Sequence, residues 1–247
     1  MIQVFSHEHP SLTLSEVAQL TGTTRATARR ILLTLERLGH VRSDGRHFAL
    51  TARVLSLGWA YLSSLDLPEI AQPFMRDLVS ETGESTSIAT LDIPEVVYVA
   101  RVPTQRIMSI TLGIGTRLPA HATSMGRVLL AALPDDDRER FLDRATLEAY
   151  TQRTIVDTAM LRRVLAGVSE QGWAMVDQEL EMGLRSVAAP LHGSDERTIA
   201  ALNISAAAAR VSTEELRGRF LPALLATAGA ISTALRQKGL DTPARAG

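Results

Sequence analysis

The stretch that decides the fold runs from Leu12 to Leu50, "LTLSEVAQLTGTTRATARRILLTLERLGHVRSDGRHFAL". Leu14, Val17, Ala18 and Leu20 form one short apolar face, and Gly22 stands where the chain must turn. Thr23 or Thr24 then caps a second helix, on which Ala28, Ile31, Leu32, Leu35 and Leu38 recur at helical spacing until Gly39 ends it. "VRSDGRHFAL" reads as two short strands about Asp44-Gly45, because such a pair tolerates the positive φ of a tight hairpin turn. Two helices, a tight turn and a wing follow one another in that order.

The opposite face of the second helix carries Arg25, Thr27, Arg29 and Arg30, with Thr24 at its start and Arg42 and Arg46 on the hairpin beyond. Six arginines and only two acids, Glu36 and Asp44, lie between Thr23 and Arg46. The whole chain conceals this cluster, since 26 basic against 27 acidic side chains leave a formal charge of −1. An α-helix fits the major groove of duplex DNA, where arginine bridges guanine acceptors, and wing arginines neutralise phosphates. Thr24, Arg25, Thr27, Arg29, Arg30, Arg42 and Arg46 are therefore the candidate DNA contacts. The alternative is a solvated, arginine-rich helix in a protein-contact domain.

Working outward, "ARVLSLGWAYLSSLDLPEI" crowds Val54, Leu55, Leu57, Tyr61, Leu62 and Leu65 onto more than one helical face. This predicts a linking helix over residues 52–66 whose surplus apolar surface packs on a second copy of the chain or inside the following domain. From about Asp66 strands and helices mix. "STSIATLDIPEVVYVARV" predicts a hairpin around "DIPE", and "RIMSITLGIG" a further strand. A helix follows "LPAHATS", Pro134 with Asp135, Asp136 and Asp137 opens the next, and Leu161, Val164, Leu165 and Val168 stripe another that ends by Gly172. "WAMVDQEL", "SVAAPL" and "TIAALNIS" read as strands. Ser212 and Glu215 have capping-box spacing at the start of a long closing helix, in which Pro222 is expected to produce a kink. The expected architecture is α+β: a winged helix-turn-helix over 1–51, the linking helix, a mixed domain with an antiparallel sheet over 67–240, and a disordered tail over 241–247.

Composition narrows the chemistry. The chain has 247 residues, 45% of them apolar, and no cysteine, which removes disulfides, thiolate metal sites and cysteine nucleophiles together. The longest apolar runs fall short of a bilayer span and the N-terminus lacks the pattern of a signal peptide, so the expected location is cytoplasmic with no membrane partner. Ser124 in "ATSMG" lacks the preceding glycine of a nucleophile elbow. Gly113 and Gly115 precede Leu118 rather than the third glycine of a dinucleotide fingerprint, and no Walker lysine occurs. His7, Glu8 and His9 are neighbours on a chain end rather than a closed metal site. No catalytic residue, metal site or cofactor is expected.

"LPAHATSMGRVLLAAL", Leu118 to Leu133, instead places His121, Thr123 and Ser124 at the mouth of a helix, whose unpaired amides and dipole favour an anion such as a carboxylate. Simple helix capping by Thr123 or Ser124 is the alternative, and one site can do both. A second candidate wall is "MVDQELEMGLRSVAAPL". Asp177, Gln178 and Glu179 sit there at a strand end, with Asp177 a candidate for the ligand site, and Arg185 is either paired with a carboxylate of this loop or aimed at an anionic ligand. Asn203 and Ser205, polar on one face of an apolar strand, either line the same cavity or satisfy loop backbone.

Taken together these residues resemble the IclR family of bacterial transcriptional regulators. "LTLSEVAQLTGTTRATARRILLTLERLGHV" is similar to its winged helix-turn-helix, and "LPAHATSMGRVLLAALP", "VDQELEMGLRSVAAPL" and "ALNISA" to its effector-binding domain, a GAF- or profilin-like fold. "YVARVPTQRIMSI", "LPAHATSMGR" and "VDQEL" with "GLRS" resemble most the subgroup that controls β-ketoadipate pathway genes. The resemblance implies a ligand-responsive regulator that binds operator DNA as a homodimer or dimer of dimers. Its effector would be a small carboxylate, an aromatic acid such as protocatechuate or 4-hydroxybenzoate, or β-ketoadipate. The family's ligand loop corresponds to Ala120, His121, Ala122, Thr123, Ser124, Met125 and Gly126, and further pocket positions to Leu184, Arg185, Ser186, Asn203 and Ser205. The family usually has a longer first helix ahead of "VFSHEHPSLTLSEVA", and the chain begins inside it. An enzyme on aromatic acids with a DNA-binding appendage, or a sensor acting through protein contacts alone, are the rival expectations.

Overall fold

The computed structural model describes residues 1–6, 8–63, 66–104 and 112–239, and the chain divides into two compact units, Met1–Ser64 and Leu65–Gly247. His7, most of the strand expected over "RIMSITLGIG" and the tail over 241–247 lie outside the described residues.

The first unit contains β1 (Leu12–Thr13), α1 (Leu14–Leu20), α2 (Arg25–Arg37), β2 (Val41–Ser43), β3 (His47–Leu50) and α3 (Leu55–Ser63). Thr13 and Glu16 close a capping box at the start of α1, and Thr24 rather than Thr23 caps α2 by accepting from the Thr27 amide. Val17, Ala18, Ala28, Leu32, Val41 and Phe48 form the core together with Phe5 and Leu12. Leu20 and Leu38, expected on the apolar stripes, are half exposed at the helix ends. Gly45 turns the wing at a φ of +95°, and Asp44 accepts from the amides of His47 and Arg46, which hold its carboxyl down to about 2. β1 adds a third wing strand by pairing with β3. The linking segment begins as a 3₁₀ turn over Ala52–Val54 and becomes helical as α3, on which Leu55, Leu57 and Trp59 stand exposed.

The second unit opens with α4 (Leu67–Thr82), continues through the hairpin β4 (Ser85–Asp92) and β5 (Glu95–Val102), and adds β6 (Arg117–Pro119). Helices α5 (Ser124–Ala131), α6 (Asp135–Arg144) and α7 (Thr158–Gln171) follow, then β7 (Ala174–Asp177), β8 (Leu184–His192), β9 (Thr198–Ala207) and the closing helix α8 (Thr213–Gln237). The six strands form one antiparallel sheet in the order β6-β5-β4-β9-β8-β7. On one face α5 lies against the sheet and α7, with Met125, Leu129, Leu130, Leu161, Leu165 and Ala188 in the shared core. α4 and α8 pack against each other and the sheet elsewhere.

Ser212 accepts from the Glu215 amide to begin α8, as its spacing predicts. A π-helical turn over Leu216–Phe220 precedes Pro222, whose ring has no N–H and crowds the carbonyl one turn earlier. Among the described residues α8 alone has the length and mean hydropathy of a bilayer-crossing helix, although Pro222, Thr227, Gly229, Ser232 and Thr233 interrupt its apolar runs. Leu221, Leu224, Ala228, Ile231 and Leu235 are nevertheless buried within the unit, as in a core helix.

Candidate DNA-binding and ligand-binding sites

On α2 the side chains that build the core and those that face outward separate cleanly. Ala28 and Leu32 are fully buried, whereas Arg25, Arg29 and Arg30 are exposed, as are Arg42 on β2 and Arg46 at the wing turn. None of these five guanidinium groups has an acidic partner among the described residues, so their charge is available to an external polyanion. Thr24 and Thr27 are hydrogen bonded to each other at the helix mouth, 3.0 Å between hydroxyls.

In the second unit the chain makes a close approach at Gly126. A Cβ there would stand 2.1 Å from the Ala120 carbonyl oxygen, so only glycine allows the Ala120–Ala122 turn to lie against α5. Thr123 caps α5 by accepting from the Gly126 amide at 3.1 Å, while the Ser124 hydroxyl crosses to Ser186 on β8 at 2.8 Å. The amides of Ser124 and Met125 have no acceptor among the described residues.

Facing this helix mouth is a polar row on the sheet. Ser186 pairs in register with Ser205, and Ala188 with Asn203, so these side chains share one face. Asn203 donates to Ser205 at 2.9 Å and accepts from the Ser87 amide at 3.0 Å. Between row and helix lies a narrow cavity of about 30 Å³, walled by these polar groups, by Ala122, Thr123 and Ser124, and by the apolar side chains of Leu118, Leu180 and Leu184. Tyr98 also lines it, and burial pushes its phenol up to about 12.

The structure thus brings Ala122, Thr123, Ser124, Leu184, Ser186, Asn203 and Ser205 to one cavity. Ala120 and Met125 are buried behind it in the apolar core. His121 turns away: Nε2 donates to the Glu148 carbonyl at 3.1 Å, and its ring lies against Tyr150. Arg185 is committed elsewhere, donating through Nε to Asp177 at 2.9 Å and through Nη1 to the Val211 carbonyl at 2.6 Å. Asp177 also binds Arg153, so it too lies outside the lining. Tyr98, Leu118 and Leu180 are lining residues that sequence reasoning missed.

A helix-turn-helix with an arginine-bearing second helix, joined to a second domain that encloses a small polar-walled cavity, defines a DNA-binding regulator. The sequence of the first unit matches the IclR helix-turn-helix domain over residues 1–45, and residues 59–233 match the C-terminal domain of the bacterial transcriptional regulator IclR. The chain belongs to the IclR family. It is 44% identical to the Pca regulon regulatory protein of Pseudomonas putida over 92% of this chain and 78% of that one. It is 37% identical to the p-hydroxybenzoate hydroxylase transcriptional activator of Acinetobacter baylyi, over 92% and 86%. A solved transcriptional regulator from Rhodococcus sp. RHA1 superposes with a TM-score of 0.83 at 50% identity, covering 96% of this chain and 95% of that one. An IclR homologue from Microbacterium hydrocarbonoxydans, solved in complex with 4-hydroxybenzoate, superposes with a TM-score of 0.81 at 25% identity, covering 95% of each. The relatives are named as regulators and repressors, and the protein is a transcriptional regulator rather than an enzyme.

Proposed function

We propose that the protein controls genes for aromatic-acid breakdown, and that a small aromatic or dicarboxylic acid entering the cavity between α5 and the sheet changes its affinity for operator DNA. The observation that carries this reading is the convergence of Ser124, at the mouth of α5, with Ser186, Asn203 and Ser205 on one small cavity. Such a wall offers directional donors to an oxygen-rich ligand, while Leu118, Leu180 and Leu184 offer apolar contact to a ring or methylene chain. The relation to Pca regulators and to a 4-hydroxybenzoate complex supports the same class of ligand.

A cavity of about 30 Å³ holds one or two waters and no aromatic ring, so binding requires the walls to part. That requirement is how a ligand in the second unit acts on DNA binding by the first: it selects the opened arrangement, and only an unequal affinity for two arrangements changes DNA binding. Thr24, Arg25, Thr27, Arg29 and Arg30 read the groove in this scheme, with Arg42 and Arg46 on phosphates. The exposed Leu55, Leu57 and Trp59 of α3 would be covered by a second copy of the chain, giving the homodimer or dimer of dimers expected of a two-fold operator. A cytoplasmic location follows from the same role.

The test is a fluorescence-anisotropy titration of the full chain on DNA from upstream of its own gene and its neighbours. It is run with and without 4-hydroxybenzoate, protocatechuate and β-ketoadipate. Specific binding that shifts with one of these acids is the expected result. DNA binding indifferent to all of them, with no acid bound in calorimetry, would remove the proposal.

A further inference from the structure

We infer that Arg101, on β5, is the cationic anchor for the carboxylate of the ligand, a role that rests on the proposed acid-binding function of the neighbouring cavity. Strict alternation along β5 would put Tyr98 and Arg101 on opposite faces of the sheet. A bulge prevents this: Ile88 pairs with Ala100 but Ala89 pairs with Tyr98, so Val99 is an extra residue and Arg101, opposite Ser87, returns to the face that carries Tyr98. Ser87 is in turn opposite Asn203. Arg101, Ser87 and Asn203 therefore form one cross-strand row that ends in the cavity wall, with the backbone of Arg101 two strand spacings, about 10 Å, from that of Asn203 across the sheet.

The chemistry of Arg101 is unspent. One arm, Nη1, donates to the Ser87 hydroxyl at 3.1 Å, and no carboxylate partners the guanidinium among the described residues. The other arginines around the cavity are committed, Arg127 to Glu179, and Arg153 and Arg185 to Asp177. Arg101 is half-buried, and burial presses its ionisation below the ordinary arginine value, so a charge is held where solvent only partly stabilises it. Its field also acts on Tyr98, which lines the cavity. A half-desolvated cation with free donors beside a polar cavity is matched by a carboxylate, which the fork of arginine holds through two parallel hydrogen bonds.

The experiment compares 4-hydroxybenzoate with its neutral analogue 4-hydroxybenzamide, by calorimetry, on the full chain and on the Arg101→Met and Arg101→Lys variants. The acid is expected to lose roughly ten- to hundredfold in affinity on Arg101→Met, the range for hydrogen bonds to a charged group. The amide should lose little, and Arg101→Lys should retain most of the preference for the acid. If Arg101→Met binds the acid as the unmodified chain does, or loses acid and amide equally, the anchor lies elsewhere and the function stands. If the unmodified chain binds no acid of either the aromatic or the dicarboxylic class, both the function and the anchor fall. Unfolding midpoints and circular dichroism of each variant verify that the second unit is folded.

Discussion

Arg127 on α5 and Glu179, which follows β7, form a bidentate ion pair, with Nη1 2.7 Å from Oε1 and Nη2 2.5 Å from Oε2, and neither side chain is more than a tenth exposed. The remaining donors and acceptors are used as well. Arg127 Nε donates to the His121 carbonyl at 2.9 Å, and Glu179 accepts from the Ile155 amide at 3.1 Å. Three separate segments, around His121, Ile155 and Glu179, are thereby tied to the first turns of the helix that faces the cavity. Leu180, the next residue, is part of the cavity wall.

Removing one partner leaves the other charge buried and unpaired, which costs more than the pair itself contributes. Glu179→Ala is expected to destabilise the second unit by about 3 to 5 kcal/mol, read as a shift in the urea unfolding midpoint. Arg127→Met combined with Glu179→Leu should lose clearly less than the sum of the two single changes. Additive losses would mean that the pair is not energetically coupled.

Gly126 offers a sharper steric test. A methyl group there meets the Ala120 backbone at 2.1 to 2.6 Å, and backbone on both sides leaves nothing flexible to yield. Gly126→Ala should cost about 3 kcal/mol or more and abolish acid binding by prising the Ala120–Ala122 turn from α5, while the first unit keeps its own core. Differential scanning calorimetry on the full chain measures this, and an unchanged unfolding profile would contradict the close approach.

What the sequence made legible follows its periodicities. α2, α5 and α7 each carry an apolar stripe and a capping or terminating residue, and the Asp44-Gly45 turn announces the wing. β1 has two residues, too few for any period, and its pairing with β3 is long-range. α4 went unread, and it carries Pro73 in its interior, a helix breaker by composition. The loop residues Thr123 and Ser124 and the polar strand residues Asn203 and Ser205 could be singled out because hydroxyls and amides are conspicuous on apolar elements. Tyr98 and Arg101 could not be placed together, because the extra residue at Val99 breaks the alternation from which faces are assigned. The choice of Asp177 for Arg185 and Glu179 for Arg127 depends on which strands are neighbours, which no local pattern specifies.

The neutral state of His121 gives a pH-dependence. Burial pushes its imidazole below the ordinary 6.5, with the Glu148 carbonyl that accepts from Nε2 acting in the opposite direction. Below that ordinary value the unfolded chain takes up the proton more readily than the folded one. Stability from this site is therefore fully present above about pH 6.5 and is lost as the pH falls toward the folded-state value. Thermal midpoints measured from about pH 7.5 down to about 5.5 should decline, and His121→Gln should flatten that part of the decline. An identical slope in the variant would assign the effect to other groups.

The exposed arginines of the first unit separate into two expected roles. Arg29 lies on the outward face of α2, and its replacement by alanine should cost about 1 to 3 kcal/mol on the specific operator and narrow the gap to unrelated DNA, as loss of a base contact does. Arg42 lies on the wing, where the proposed contacts are to phosphates. Arg42→Ala should weaken binding to all duplexes alike and reduce the slope of log affinity against log salt by about 0.9, the release of one counterion. Acid affinity should be unchanged in both, because the cavity is built wholly from residues of the second unit. Titrations at several salt concentrations on operator and scrambled duplexes distinguish the two. If Arg29→Ala lowers affinity for both duplexes equally and leaves their ratio intact, α2 is not the element that reads sequence.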